Sequence, residues 1–580
     1  MEILDWLVLL GSTFGIVWYG LWKSRGEKNI DDYLKGGHSL PWYTISLSVI
    51  ATQASAITFL SAPGQAYVDG MRFVLFYLGL PIAMVVISAV MVPLYYRLNV
   101  ITAYEFLESR LDLKSRVLTA FFFLIQRGLA AGVSIAAPAI VLSVVLNLNI
   151  TIINFFIGLV VVLYTVMGGS RAVSQTQKLQ MITILGGMAW AGYLVIALLP
   201  KEVGWEGAMY LAAQTDKFNT MDFSFDLDNR YTLWSGLLGG FFLQMAYFGT
   251  DQSQVGRYLG GTSLRQIRLG LLFNGVFKIP MQFAILYIGA MLFVFYQFQA
   301  PPLIFNTSVQ QKIAQNGYNE ELRQLEQKQK AIFQEREAAA QALLRARNNP
   351  EKEIALPKQR YLETHEAAKA LRAETGRLIQ KAEGQAPTAP NLQKDLDYMN
   401  NIDANYIFLS FVTRFLPAGL VGLLIAVILM ASMSTTASEL NALASTSTID
   451  IYKRLINPKA SEKHYLNISR LLTLFWGGLA ILFAQLASHL GTLIEAVNIL
   501  GSLFYGTILG IFLLAFWPRR VSGHAAFGAA ILTEILVILV YLEFLGFKIA
   551  YLWLNMLGCG GVVLFALFLE TLRQGRRMVR

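Results

Sequence analysis

The chain has one cysteine, five histidines, 16 prolines and only 14% charged residues over 580 positions. A single thiol, Cys559, excludes a disulfide within the chain and any metal site built on cysteine pairs. His38, His365, His464, His489 and His524 fall in loops or at the ends of apolar runs. No Ser/His/Asp set or histidine cluster is therefore expected among the apolar segments, and an enzyme is not the expected reading.

What is abundant is hydrophobic sequence, 55% of all residues, with a mean hydropathy of +0.49. That is too apolar for a water-soluble chain of this length, so the lipid bilayer is its expected solvent. Apolar runs long enough to cross about 30 Å of hydrocarbon are predicted at 3–22, 42–62, 74–96, 117–146, 150–167, 178–199, 233–255, 270–298, 403–441, 470–488, 492–517, 523–542 and 549–570. Every second connection is basic: Lys23, Arg25, Lys28 and Lys35, then Arg97, Arg110, Lys114 and Arg116, then Arg257, Arg265 and Arg268, then Lys453, Arg454, Lys459 and Lys463. Positive charge marks the cytoplasmic side. The N-terminus is expected outside and the C-terminus inside a plasma membrane, the bacterial inner membrane. The net charge of +10 reads as this bias, with no nucleic acid implied. The first run opens with Glu2 and Asp5 and has no basic n-region, which predicts a retained helix.

Within this apolar chain, ASMSTTASELNALASTSTID (431–450) is rich in hydroxyls. Ala431, Ser434, Thr435 and Ser438 share one helical face. Such a face serves either close helix packing or a hard-cation site. Ionisable groups inside the runs, Arg127, Lys178, Asp251, Lys278 and Glu495, are costly and so mark functional positions or mutual neutralisation. Two runs carry polar interruptions, Ala51-Thr52-Gln53-Ala54-Ser55 and Tyr247-Phe248-Gly249-Thr250-Asp251-Gln252. They open consecutive five-run blocks, and an odd number of crossings inverts the second block relative to the first. Inverted repeats with broken first helices are the layout of secondary transporters.

Residues 303–400 differ from the rest, being rich in Lys, Arg, Glu, Gln and Ala. Helices are predicted at 319–347 and 358–383, separated by Asn348, Asn349, Pro350 and Pro357. The hairpin is either a docking surface for a protein partner or a tolerated solvated insertion.

Several motifs together resemble the sodium:solute symporter family: DDYLKGGHSLPW (31–42), AYEFLESR (103–110), GGSRAV (168–173), YFGTDQSQVGRYL (247–259), RFLPAGLVGLL (414–424), the hydroxyl run ending in TIDIYKR, and FLLAFWPRRVSGHAAF (512–527). The resemblance implies an all-α polytopic membrane protein with a LeuT-like 5+5 inverted-repeat core and about 13 transmembrane helices. It further implies an Na+ site on Ala51, Ala54, Ala431, Ser434 and Thr435, five neutral oxygens suited to a hard cation. Solute contacts are expected at Thr58, Tyr77, Gln244, Tyr247, Lys278 and Asn498, with Tyr247 as inner gate. Thr58, Tyr77 and Leu80 replace polar sugar contacts of the galactose carrier, which argues against a hexose; Lys278 would suit a carboxylate. Gln177 stands where the family has an aspartate, next to Lys178, and these two with Asp251 and Ser438 are expected along the ion path.

The expected organisation is an extra helix and linker (1–40), core helices one to five (41–200), six and seven with an outer loop (201–302), the extracytoplasmic hairpin (303–400), core helices eight to ten (401–517) and two final helices (518–580). The expected activity is Na+-coupled import of a small organic solute, sugar or organic acid-like, by alternating access. The alternatives are a proton-coupled or Na+-independent carrier using Lys178, and less so a transporter-like sensor.

Overall fold

A computed structural model describes residues 2–23, 40–385, 390–487, 492–516 and 521–578. The predicted features at 31–39 and 517–520, Arg25, Lys28, Lys35, His38 and His489, and the side chains of Lys23 and of 168–173 lie outside what is described. Among the described residues all regular structure is helical, apart from one isolated bridge between Leu40 and Gly261. Ten stretches among the described residues are long and apolar enough to cross a membrane. Large side chains such as Phe156 and Val276 stay 64% and 70% exposed on the outside of the bundle, where lipid takes the place of water.

The first run is α1 (Ile3–Lys23). The second is broken, as its polar interruption predicts, into α2 (Trp42–Gln53) and α3 (Ala56–Asp69). The third, α4 (80–98), passes through one π-helical turn at Ile87–Met91. The fourth is α5 (Leu113–Leu146), whose N-cap Asp112 accepts from the Ser115 amide. The runs predicted at 150–167 and 178–199 form one continuous helical stretch, α6 (Ile150–Ala197). The seventh run is broken at Thr250 and Asp251 into α7 (Gly240–Gly249) and α8 (Gln252–Tyr258). Asp251 is extended (φ −77°, ψ 119°) and caps α8 by accepting from the Ser253 amide. The carbonyls freed at this break are taken by tyrosines, Tyr95 on Gly249 (2.8 Å) and Tyr258 on Phe248 (3.0 Å). Next come α9 (Leu264–Phe298), then α10 (Asn319–Ala346) and α11 (Glu351–Ala382) of the hairpin. The second hairpin helix begins at Glu351, earlier than predicted, because Pro350 serves as its N-cap and Pro357 is carried inside the helix.

The run predicted at 403–441 is not one span. It divides into α12 (Leu392–Phe415) and α13 (Leu420–Thr446). Leu416 is extended ahead of Pro417, and Gly419 has φ +84°, a left-handed value that suits glycine. The apolar residues before the break are covered by protein: α12 packs on α3 and α11. Asp5 of α1 accepts from the amides of Gly419 (2.6 Å) and Gly422 (3.0 Å), capping the start of α13. The chain ends with α14 (Glu462–Ala487), α15 (Leu493–Phe516), α16 (Gly523–Tyr541) and α17 (Tyr551–Met578).

Small residues set the spacing around α3. A Cβ at Gly64 would lie 1.7 Å from the Ala404 carbonyl oxygen of α12, and one at Gly289 of α9 would lie 2.1 Å from that of Pro63. The second half of the broken helix is thus clamped at backbone distance between α9 and α12. The hydroxyl-rich α13 is central, packing against α1, α2, α3, α5, α6 and α14.

Candidate functional site

The break between α2 and α3 faces α13. The last carbonyls of a helix have no partner within it, and the one on Ala51 accepts from the Thr435 hydroxyl at 3.4 Å. Beside it, the Ser434 hydroxyl is buried without a partner. Ala54, the residue ending α2, and Ala431, one turn before Ser434, are also buried. Four side chains then tie α2, α6 and α13 together. Gln177 accepts from Ser48 and donates to Thr52 (3.2 Å) and to Ser438 (3.2 Å), while Ser438 donates to the Ser434 carbonyl (2.9 Å). Of the predicted cation residues, Ala51 and Thr435 thus meet across the break with Ser434 beside them, and the ion-path residues Gln177 and Ser438 bond one another next to it.

Next to this break lies a cavity of about 80 Å³. Its walls include Thr52, Gln53, Ser55, Thr58, Tyr77, Gln244, Tyr247, Thr435 and Asn498. Five of the six predicted solute contacts are thereby brought together. The sixth, Lys278, is not among the lining residues. It is fully buried behind Tyr77, with its Nζ 5.5 Å from that ring centroid and without a hydrogen-bond partner. It stands on α9, which packs against the segment carrying Tyr77. Lys178 is half-buried and also does not line the cavity.

The cavity also meets a charged group that sequence reading found only in part. Arg127 of α5 pairs with Asp251 at the second helix break and with Glu439 of α13 (3.0 Å). Tyr505 of α15 bonds both Arg127 and Asp251, the latter at 2.9 Å. Arg127 and Asp251 pair with one another, one of the two roles that the sequence left open for them. Glu439 was missed, although it is a lone carboxylate within the hydroxyl run, a signal of the same kind as Asp251. One of its oxygens, Oε2, is buried and unpartnered. Tyr247 lies against this network, 5.5 Å from the Arg127 Cζ, with its hydroxyl accepting from Gln254 at 2.6 Å. Glu495, the remaining expected ionisable group, instead pairs with Arg230 (2.7 Å) and accepts from Tyr231 (3.1 Å).

Among the described residues no group of three or more His, Cys, Asp or Glu side chains is arranged to hold a metal ion. The oxygens at the first break are neutral, a donor set for a monovalent hard cation.

Comparison with known proteins follows the same lines. The family model described as "Sodium:solute symporter family" matches residues 33–319 and 389–533. The human sodium/iodide cotransporter is 32% identical over 294 residues, 50% of this chain and 44% of that protein. Sodium-coupled monocarboxylate transporter 1 of Xenopus laevis is 30% identical over 46% of this chain and 42% of its own length. The chain thus spans less than half the length of these two relatives. The sodium/sialic acid symporter SiaT of Proteus mirabilis (strain HI4320) is 23% identical over 92% of this chain and 89% of its own. A solved structure of an Na+-coupled sialic acid symporter in a substrate-bound outward-open state superposes with a TM-score of 0.72, covering 98% of each chain at 22% identity.

Proposed function

The chain belongs to the sodium:solute symporter family, and from that premise we propose that it is an Na+-driven importer of a small organic solute. The observation that carries the reading is the first helix break, where the Ala51 carbonyl, the Thr435 hydroxyl and the unpartnered Ser434 hydroxyl meet in a buried place. Oxygens about 2.4 Å from one hard cation and at a right angle to each other lie about 3.4 Å apart, which is the Ala51 to Thr435 separation. Na+ binds there, completed by Ala54 and Ala431, and holds α2, α3 and α13 in one arrangement. The C-terminal end of α2 adds negative potential.

The solute occupies the adjacent cavity between Thr58, Tyr77, Gln244, Tyr247 and Asn498. Its volume of about 80 Å³ lies far below the ~300 to 1,000 Å³ of sites for drug-sized ligands. A short organic acid, the class named for the monocarboxylate relatives, suits this space better than a sugar. Tyr247, resting on the Arg127 network, closes the cavity from below. Moving one charge through 100 mV contributes about 2.3 kcal/mol, roughly fifty-fold accumulation. Gln177, whose amide bonds Ser48, Thr52 and Ser438, links α2, α6 and α13 beside the break and so couples its occupancy to helix position. The N-terminus and the hairpin lie outside, the C-terminus in the cytoplasm.

The test is uptake of a panel of radiolabelled short organic acids into proteoliposomes under an inward Na+ gradient. Ser434→Ala with Thr435→Ala is expected to raise the Na+ concentration for half-maximal uptake by at least about tenfold, the loss of one to two charge-assisted bonds. Unchanged Na+ dependence in a folded double variant would remove the assignment.

A further inference from the structure

The family model passes over residues 320–388, which hold α10 and α11, so the transport reading gives the hairpin no task. Where it seats on the membrane core, basic side chains exceed their partners. Lys217, Arg336 and His365 are 6%, 8% and 8% exposed. They surround one ring, Phe293 near the end of α9. The Lys217 Nζ is 4.4 Å and the Arg336 Cζ 5.0 Å from its centroid, and the His365 ring stands edge-on at 5.4 Å and 89°.

Neither carboxylate of this region pairs with Arg336. Asp403 accepts from the amides of Phe305 (2.9 Å) and Asn306 (3.2 Å) and from Arg372 (3.3 Å). Asp69 accepts from Gln65 and is the opposite charge that acts on Lys217, so it gives nothing to Arg336. Lys217 gives two of its three N–H bonds to the carbonyls of Tyr67 (2.7 Å) and Val68 (2.5 Å) and keeps one. Arg336 is left with Nε and Nη2 buried and unpartnered, and His365 with Nδ1 in the same state. Those two guanidinium nitrogens form one edge, whose parallel N–H groups are the geometry with which arginine grips an anion.

An aromatic face offsets part of the cost of a buried cation, but here one ring is shared by two. A buried charge without a counterion is unfavourable. His365 does not add to the positive charge: burial first, then Arg336, Lys217 and Lys369, push its imidazole down to about 2. Neutral, and with its unpartnered Nδ1 carrying the proton, it would supply one more donor beside the same ring.

We propose that this junction binds a halide ion, chloride being the common one, between the Nε and Nη2 edge of Arg336, the Lys217 ammonium and His365 Nδ1, and that the ion fastens the hairpin to the ends of α3 and α9. A monatomic anion accepts from converging donors in any direction and needs no donor of its own, which matches three donors around one ring.

Thermal unfolding of the full-length protein in detergent, in sodium gluconate titrated with chloride or bromide at constant ionic strength, tests this. The unfolding temperature is expected to rise saturably with either halide. Arg336→Gln is expected to shift the half-saturating concentration upward about tenfold or more, while Lys330→Gln, on the exposed side of α10, leaves it unchanged. A rise with formate but not with halides overturns the halide assignment; no halide-specific rise in the wild type overturns the site. Should Arg336→Gln fail to fold, anomalous scattering from wild-type crystals grown in bromide decides, and the absence of a bromide peak beside Arg336 overturns the proposal. None of these readouts depends on uptake, so the site and the transport reading stand or fall separately.

Discussion

At the scale of single residues, the charge network beside the cavity is where a substitution is expected to cost the most stability. Arg127 is the lone cation between two buried carboxylates, Asp251 and Glu439. Removing it leaves two uncompensated charges in a low-dielectric place, whereas removing one carboxylate leaves a pair. Arg127→Met is expected to lower stability by about 3 to 5 kcal/mol, and adding Glu439→Gln is expected to recover part of that loss. Thermal unfolding of the two variants in detergent checks it; equal losses would mean that Glu439 is not energetically coupled to Arg127. Arg127 and Asp251 stood out in the sequence because each interrupts an apolar run. Glu439 sits among serines, threonines and alanines, where a polar residue raises less contrast, and only the packing of α5 against α13 shows what it serves.

The elements are held apart and together by the smallest side chains. Gly64 and Gly289 let α3 lie against α12 and α9 at backbone distance. Gly64→Ala would force α12 outward, since the obstacle is a carbonyl oxygen and not a movable side chain. A loss of about 1 to 3 kcal/mol or more is expected, measurable as a lowered unfolding temperature and faster proteolysis at the 416–419 break. The helix breaks were legible because polar residues in mid-run cannot face lipid. The division of 403–441 was less so, since an apolar helix buried against protein and one buried in lipid have the same composition, and Pro417 and Gly419 were the only local signs of it.

For the molecule as a whole, the hairpin is built into the core. Tyr361 is fully buried and its hydroxyl reaches Gln297 (3.0 Å) at the end of α9, while Ala340 and Leu343 join the main hydrophobic core. Excising residues 319–383 is therefore expected to lower the unfolding temperature and reduce the yield of folded protein, in contrast to a loose solvated insertion, whose removal would leave both unchanged. The hairpin seat is also expected to be acid-sensitive. His365 titrates near 6.5 when unfolded and at about 2 when folded. Between those values the unfolded chain holds a proton that the folded chain does not, so stability falls as pH drops below about 6.5, by up to about 1.4 kcal/mol per unit. In chloride-free buffer, His365→Gln is expected to lose this part of the pH dependence, read as the difference between wild-type and variant unfolding temperatures from pH 7 to pH 5.

The sequence by itself determined the solvent, the helical class, the two broken helices and the hydroxyl face, because each follows from what hydrocarbon does to a backbone or side chain within a few turns. Tertiary structure decided which of the marked residues meet. Lys278 and Asn498 were equally plausible along the chain, yet one lies behind Tyr77 and the other in the cavity wall, since depth and azimuth depend on helix packing. The same holds for Arg336 and His365, 29 positions apart on two polar helices. Nothing local distinguishes them from the solvated charges around them, and only the docking of the hairpin on α9 buries them against one ring.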